Sequence, residues 1–168
     1  PLYSSAASDV YKRQILNIAR QELWKYMHNQ KRNFERYTVY GYANIPPTPF
    51  KLKDWERYDV SRYTDPGCIS PEDGIRTIPS EGNHTRYATI RQDLEILSGD
   101  DDLSNAIFLF HSPPYNTNLD RAALDGKKFE FVPLDVHVGS IAIRRLIESR
   151  SPLITLHGHI HESTRLTG

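Results

Sequence analysis

Apolar residues recur at three- and four-residue spacing from Ile15 through Ile18, Ala19, Leu23, Tyr26 and Met27, with Arg20, Gln21 and Lys25 between them. That period predicts an amphipathic helix over 15–29. Positions 37–43 (Tyr-Thr-Val-Tyr-Gly-Tyr-Ala) are aromatic and β-branched and predict a strand, which Pro46, Pro47 and Pro49 end because proline has no N–H for a sheet ladder. Helical spacing returns over 87–97. An apolar run over 106–110 predicts a buried strand, Ser140 with Ile141, Ile143, Leu146 and Ile147 predicts a capped helix over 140–149, and 153–156 predicts a last strand. Strand, helix and strand in that order form one βαβ crossover, so the expected class is α/β.

Between these elements the chain is irregular. The stretch 44–86 is rich in turn residues, among them Asp65-Pro66-Gly67 and Ser70-Pro71-Glu72-Asp73-Gly74. A segment of that length without regular elements is usually functional. Trp55, Tyr58, Tyr63 and Ile69 predict that it packs onto the body. A polar loop over 115–128 carries Asn116, Asn118, Asp120, Arg121, Lys127 and Lys128. The first fourteen residues have no periodicity, and Asp9-Val10-Tyr11-Lys12-Arg13-Gln14 resembles the translated end of a transposon adapter. The expectation is a foreign tail over 1–14 and one domain over 15–168.

The chain has 168 residues, 38% of them hydrophobic, enough for one domain with a core. Its 21 basic and 21 acidic residues balance, which argues against a nucleic-acid-binding surface spanning the domain. A single cysteine, Cys68, excludes an internal disulfide framework and fits a reducing compartment. No apolar run approaches the roughly 20 residues that span a bilayer, and no basic-then-apolar leader opens the chain. The expectation is a cytoplasmic protein without a membrane partner.

Candidate chemistry lies at the two predicted strand ends. The first apolar run stops at His111, followed by Ser112-Pro113-Pro114, and the last leads into Gly158-His159-Ile160-His161. Neutral imidazole is a common ligand of transition metals. Strands of one parallel sheet deliver such residues to the same edge. His111, His159 and His161 are therefore the candidate metal ligands. No catalytic residue beyond them is assigned.

These two blocks, with Glu162-Ser163 after the second, resemble the last two motifs of the calcineurin-like metallophosphoesterase superfamily. That resemblance implies a layered α/β sandwich, of which this chain is the C-terminal part, truncated at both ends. It also implies a dinuclear centre of manganese, iron or zinc acting on phosphorylated small-molecule or macromolecular substrates. By the same resemblance His111 and His159 serve one metal and His161 the other.

Three other stretches imitate the family's missing acidic blocks. Gly82-Asn83-His84-Thr85 has threonine where the family has an acid, Asp135-Val136-His137 comes too late in the chain, and Gly99-Asp100-Asp101-Asp102-Leu103 ends in leucine. All three are read as decoys, with 99–103 a solvated turn. His28 is expected on the exposed face of its helix, and His157 as support for the site. Lacking bridging aspartates, the chain alone is expected to hold at most one metal weakly and to have little hydrolase activity. A second class of reading is a non-catalytic module, with a single structural metal site or a partner-binding surface around 55–63. A serine hydrolase is disfavoured by the absence of a Gly-x-Ser-x-Gly elbow.

Overall fold

The computed structural model describes residues 2–4, 12–21, 24–78 and 87–163. Its centre is a four-stranded mixed sheet of order β3-β4-β5-β8, built from β3 (Gln30–Phe34), β4 (Tyr37–Tyr42), β5 (Ala106–Phe110) and β8 (Ile154–Leu156). β3 and β4 form an antiparallel hairpin, while β4–β5 and β5–β8 pair in parallel. Helix α2 (Ile90–Ser98) precedes β5, and α3 (Ile141–Arg150) makes the crossover from β5 to β8. The class is α/β, as the alternation of patterns predicts.

Alternating residues of β4 and β5 point to one face, the expected consequence of the strand period. Tyr40, Tyr42, Phe108 and Phe110 are buried there against Ile90 and Leu94 of α2 and Ala142, Ile143 and Leu146 of α3. Their rings stack along the sheet: Tyr40 on Phe108 at 4.6 Å, Phe108 on Phe110 at 5.0 Å, and Phe110 on His157 at 5.5 Å. The opposite face is crossed so closely that a Cβ on Gly41 would lie 2.4 Å from the Met27 carbonyl oxygen. Only glycine fits that position.

Both helix starts depend on one dipeptide of the irregular segment. The Tyr58 carbonyl accepts from the Ile90 N–H (2.7 Å) and that of Asp59 from the Arg91 N–H (3.2 Å). The Asp59 carboxylate accepts from Ser140 Oγ (2.6 Å) and from the Ile141 and Ala142 N–H groups (2.7 and 3.2 Å). Ser140 in turn caps Ile143, and Thr89 with Gln92 forms a capping box on α2. Burial pushes the Asp59 carboxyl above its ordinary pKa, and the donors from α3 oppose that shift.

Two expectations need correction. The helix predicted over 15–29 is α1 (Lys12–Arg20), followed by strand β2 (Trp24–Tyr26) and a single bridge at His28. Tertiary packing overrides the helical period, because Met27 is fully buried where it meets Gly41. β3, which carries no apolar alternation, comes from its hairpin with β4. Residues 2–4 form β1, parallel to β2, and 12–14 belong to α1. In the irregular segment Trp55 and Tyr58 are buried as expected, but Tyr63 is 66% exposed. The polar loop runs into an exposed hairpin of β6 (Lys128–Phe129) and β7 (Val132–Pro133).

His28 is also corrected, from a surface residue to a buried one that accepts the Ala43 N–H at Nδ1 (3.1 Å) among the rings of Tyr26, Tyr42 and Trp55. Burial, with Lys12 and Arg57 adding to it, lowers its pKa from 6.5 to about 3. The unfolded chain takes up this proton near pH 6.5 and the folded chain only near 3. Stability is therefore complete above about pH 6.5 and falls through that window, by on the order of a few kcal/mol. His28→Asn retains an acceptor near Nδ1 and does not titrate. Urea melts from pH 7 to 4 should show a shallower loss for this variant than for the wild type.

Candidate functional site

The β4–β5 ladder runs one residue past β5, with the His111 N–H donating to the Tyr42 carbonyl (3.1 Å). The His111 carbonyl then accepts from the Gly158 N–H (3.1 Å), so both strands still register where the histidines begin. The His111 and His159 rings meet edge to face with centroids 5.0 Å apart. His111 is 9% exposed, and His159 is partly buried. His161 starts a short 3₁₀ turn (His161–Ser163) and is exposed. Of the three predicted ligands, the fold sets two side by side and puts the third on the next turn.

The backbone bend is carried by His159, whose φ of 73° lies in the left-handed region. Non-glycine residues are uncommon there. A Cβ on Gly158 would meet His111 Nδ1 at 3.5 Å, an ordinary contact. The strained position is therefore the imidazole-bearing one, although glycine precedes it. Strain kept at such a residue is a recurring mark of functional sites.

His157 braces this edge from beneath. Its Nδ1 lies 3.0 Å from the Ser112 carbonyl and its Nε2 lies 2.8 Å from Thr155 Oγ1. A carbonyl can only accept, so Nδ1 carries the proton and Nε2 accepts from the hydroxyl. Burial lowers the pKa of this ring, consistent with that neutral form. His157 thus ties the exit of β5 to the exit of β8.

Asp120, which carries no local signal for this role, organises the polar loop. It is fully buried and accepts from the N–H groups of Asn116 (2.9 Å), Thr117 (2.8 Å) and Gly139 (3.1 Å), and its Oδ1 lies 2.8 Å from His137 Nδ1. Asp135 accepts from Tyr115 Oη (2.6 Å) and the His137 N–H (2.8 Å), which gives the Asp135-Val136-His137 letters a turn-forming use. Arg121 pairs with Asp125. Asp101 binds Lys31 and the Tyr40 hydroxyl, and Asp102 caps Ser104, in keeping with a turn at 99–103. Gly82-Asn83-His84-Thr85 lies outside the described residues.

Beside His159 opens a cavity of about 290 Å³, lined also by Ile45, Thr48, Phe50, Leu52, Asp54, Trp55 and Glu56. Its carboxylates are engaged. Asp54 accepts from the Thr77 N–H (2.7 Å), Thr77 Oγ1 (2.5 Å) and the Lys12 N–H (3.2 Å). Glu56 accepts from the Thr48 N–H (2.9 Å), Thr48 Oγ1 (2.5 Å) and the buried Lys53 ammonium (2.5 Å). Among the described residues no group of three or more His, Cys, Asp or Glu side chains is placed to hold a metal ion. His111 and His159 offer two nitrogen donors and no negative charge. The described residues alone do not fit a two-metal centre.

No family model matches the chain. The chain is 42% identical over 64 residues to the uncharacterized protein MJ1162 of Methanocaldococcus jannaschii, a match covering 37% of this chain and 26% of that protein. A crystal structure at 16% identity superposes with a TM-score of 0.50, covering 90% of this chain and 48% of the other. The likeness to that structure is one of fold. The chain thus matches about a quarter of the archaeal relative's length and about half of the solved chain's. Among the described residues no helix is long and apolar enough to cross a membrane.

The strain at His159 makes a stability prediction. Glycine normally destabilises a folded position relative to alanine, but at a left-handed residue the order reverses by about 1 kcal/mol. Urea melts should find His159→Gly at least as stable as His159→Ala. For the loop, Asp120→Asn replaces an acceptor with an amide that faces buried donors. It should cost about 1–3 kcal/mol and open 121–131 to proteolysis, read by melts and limited trypsin digestion.

Proposed function

We propose that His111 and His159 form part of the metal-binding edge of a phosphoric ester hydrolase of the calcineurin-like metallophosphoesterase type. In that reading the acidic ligands come from sequence outside the described residues. The observation that supports it is the pair of imidazoles 5.0 Å apart at the ends of two adjacent parallel strands, one on a left-handed backbone. Two unrelated core histidines have no need for a shared sheet edge and a strained turn. A metal pair in such an enzyme supplies hydroxide at neutral pH and polarises the phosphoryl oxygen. This chain's own contribution is to hold two imidazoles at a fixed place, with His157 and the sheet ladder fixing them.

The proposal extends to the parent protein: two ions of manganese, iron or zinc, with His161 serving the second. The substrate would be a phosphorylated molecule and the location cytoplasmic. The 168-residue chain alone would be nearly inactive. A single-metal, non-catalytic module is the competing reading, and it is favoured by the absence of a third ligand among the described residues.

The deciding experiment extends the chain with its native flanking coding sequence and measures manganese-dependent hydrolysis of p-nitrophenyl phosphate and its bis ester. The extended protein should turn over while the 168-residue chain does not, and His111→Ala and His159→Ala should each lower kcat/KM about a hundredfold, near 2.7 kcal/mol. Turnover unchanged by either substitution would sink the proposal. One tightly held metal with no turnover would establish the module instead.

A further inference from the structure

The cavity beside His159 has a composition that bears on the substrate. Ile45, Phe50, Leu52 and Trp55 give it apolar walls, and His159 stands at its edge. The side-chain oxygens of Thr48, Asp54 and Glu56 in its wall are already engaged. The Thr48 hydroxyl donates to Glu56 and accepts from the Phe50 N–H (3.2 Å), and the Thr48 carbonyl accepts from Lys53 Nζ (2.8 Å) and the Ile69 N–H (3.0 Å). Asp54 and Glu56 are engaged as described above. A hydroxyl-rich ligand such as a sugar or polyol would find few partners here, and its own polar groups would go unsatisfied on burial.

Phe50, which lines this space, is 71% exposed. A ring left in water beside an apolar cavity gains most from a flat partner that covers it, because aromatic pairs add to simple area burial. The volume, about 290 Å³, is at the small end of ligand sites and suits one ring system. A phosphoserine or phosphothreonine side chain has no ring to place there.

We infer that this cavity takes the aromatic, alcohol-derived part of a small phosphoric ester whose phosphoryl end faces His159. The inference rests on the reading of His111 and His159 given above and narrows its substrate to aryl or heteroaryl phosphates. The cavity binds the ring without hydrogen bonds, so it selects by shape and apolar area and tolerates different ring substituents.

Two measurements test it and separate its failure from that of the underlying reading. Calorimetric titration of the 168-residue chain with 1-naphthol should saturate. Phe50→Ala, at an exposed position, should weaken binding about fivefold, and Leu52→Trp should block it. In the extended, manganese-loaded protein, kcat/KM for 1-naphthyl phosphate should exceed that for glycerol phosphate at least about tenfold, and Phe50→Ala should erode that ratio through the aryl substrate alone. Naphthol that fails to saturate, or equal turnover of both esters, overturns the inference and leaves the phosphoesterase reading intact. Naphthol bound by the cavity with neither ester hydrolysed overturns the phosphoesterase reading, and the ester assignment falls with it.

Discussion

Two successive residues, Tyr58 and Asp59, hold the helical layer to the rest of the protein. An α-helix leaves its first N–H groups without internal partners, and buried donors of that kind must be satisfied. Here the carbonyls of Tyr58 and Asp59 serve the start of α2, and the Asp59 carboxylate serves the start of α3. A carboxylate at a helix N-terminus also interacts favourably with the helix dipole. The irregular segment is thus a structural strap, and its lack of periodicity reflects that it is fixed by hydrogen bonds to helices rather than by a sheet ladder. If it were lost, α2 and α3 would have exposed ends where they close over the aromatic face.

That aromatic face explains how histidines at strand ends are held firmly. Tyr40, Phe108, Phe110 and His157 form a continuous stack, so the half-buried His157 ring extends the aromatic core toward the site. His157 spends both nitrogens on Ser112 and Thr155, which fixes the exits of β5 and β8 relative to each other. Groups placed by packed strands hold their geometry better than groups on loops. Rigidity at this edge therefore comes from hydrophobic packing, while the donors of His111 and His159 are supplied just beyond it.

The elements legible in the sequence were those whose signal is local. β5 matched its apolar run residue for residue, α3 began at its serine cap, and β4 was bounded by prolines. The candidate imidazoles were legible too, because abrupt strand ends in histidine are visible without a fold. What was hidden depends on distant partners. Asp59 meets Ser140 across 81 positions, so nothing near Asp59 marks it as a helix cap. Met27 and His28 carry a helical period yet lie in extended backbone, because a bare Gly41 on the neighbouring strand lets them in. The cavity was hidden for the same reason: its walls come from a segment whose only sequence signal was turn residues.

The charges near His159 separate two things that the sequence letters confuse. Acidic residues are present close by, yet Asp54 and Glu56 are bound by backbone N–H groups, hydroxyls and Lys53. Pulling either toward a metal would leave those donors unsatisfied or strand a buried ammonium, each a cost of kcal/mol size. They serve the strap, and a bridging carboxylate has to be accessible from two sides. The acidic half of a two-metal centre is therefore a separate requirement that this edge of the sheet does not meet by rearranging its own side chains. The same commitment bears on the cavity beside His159, since the oxygens of its two carboxylates already accept from the protein's own donors.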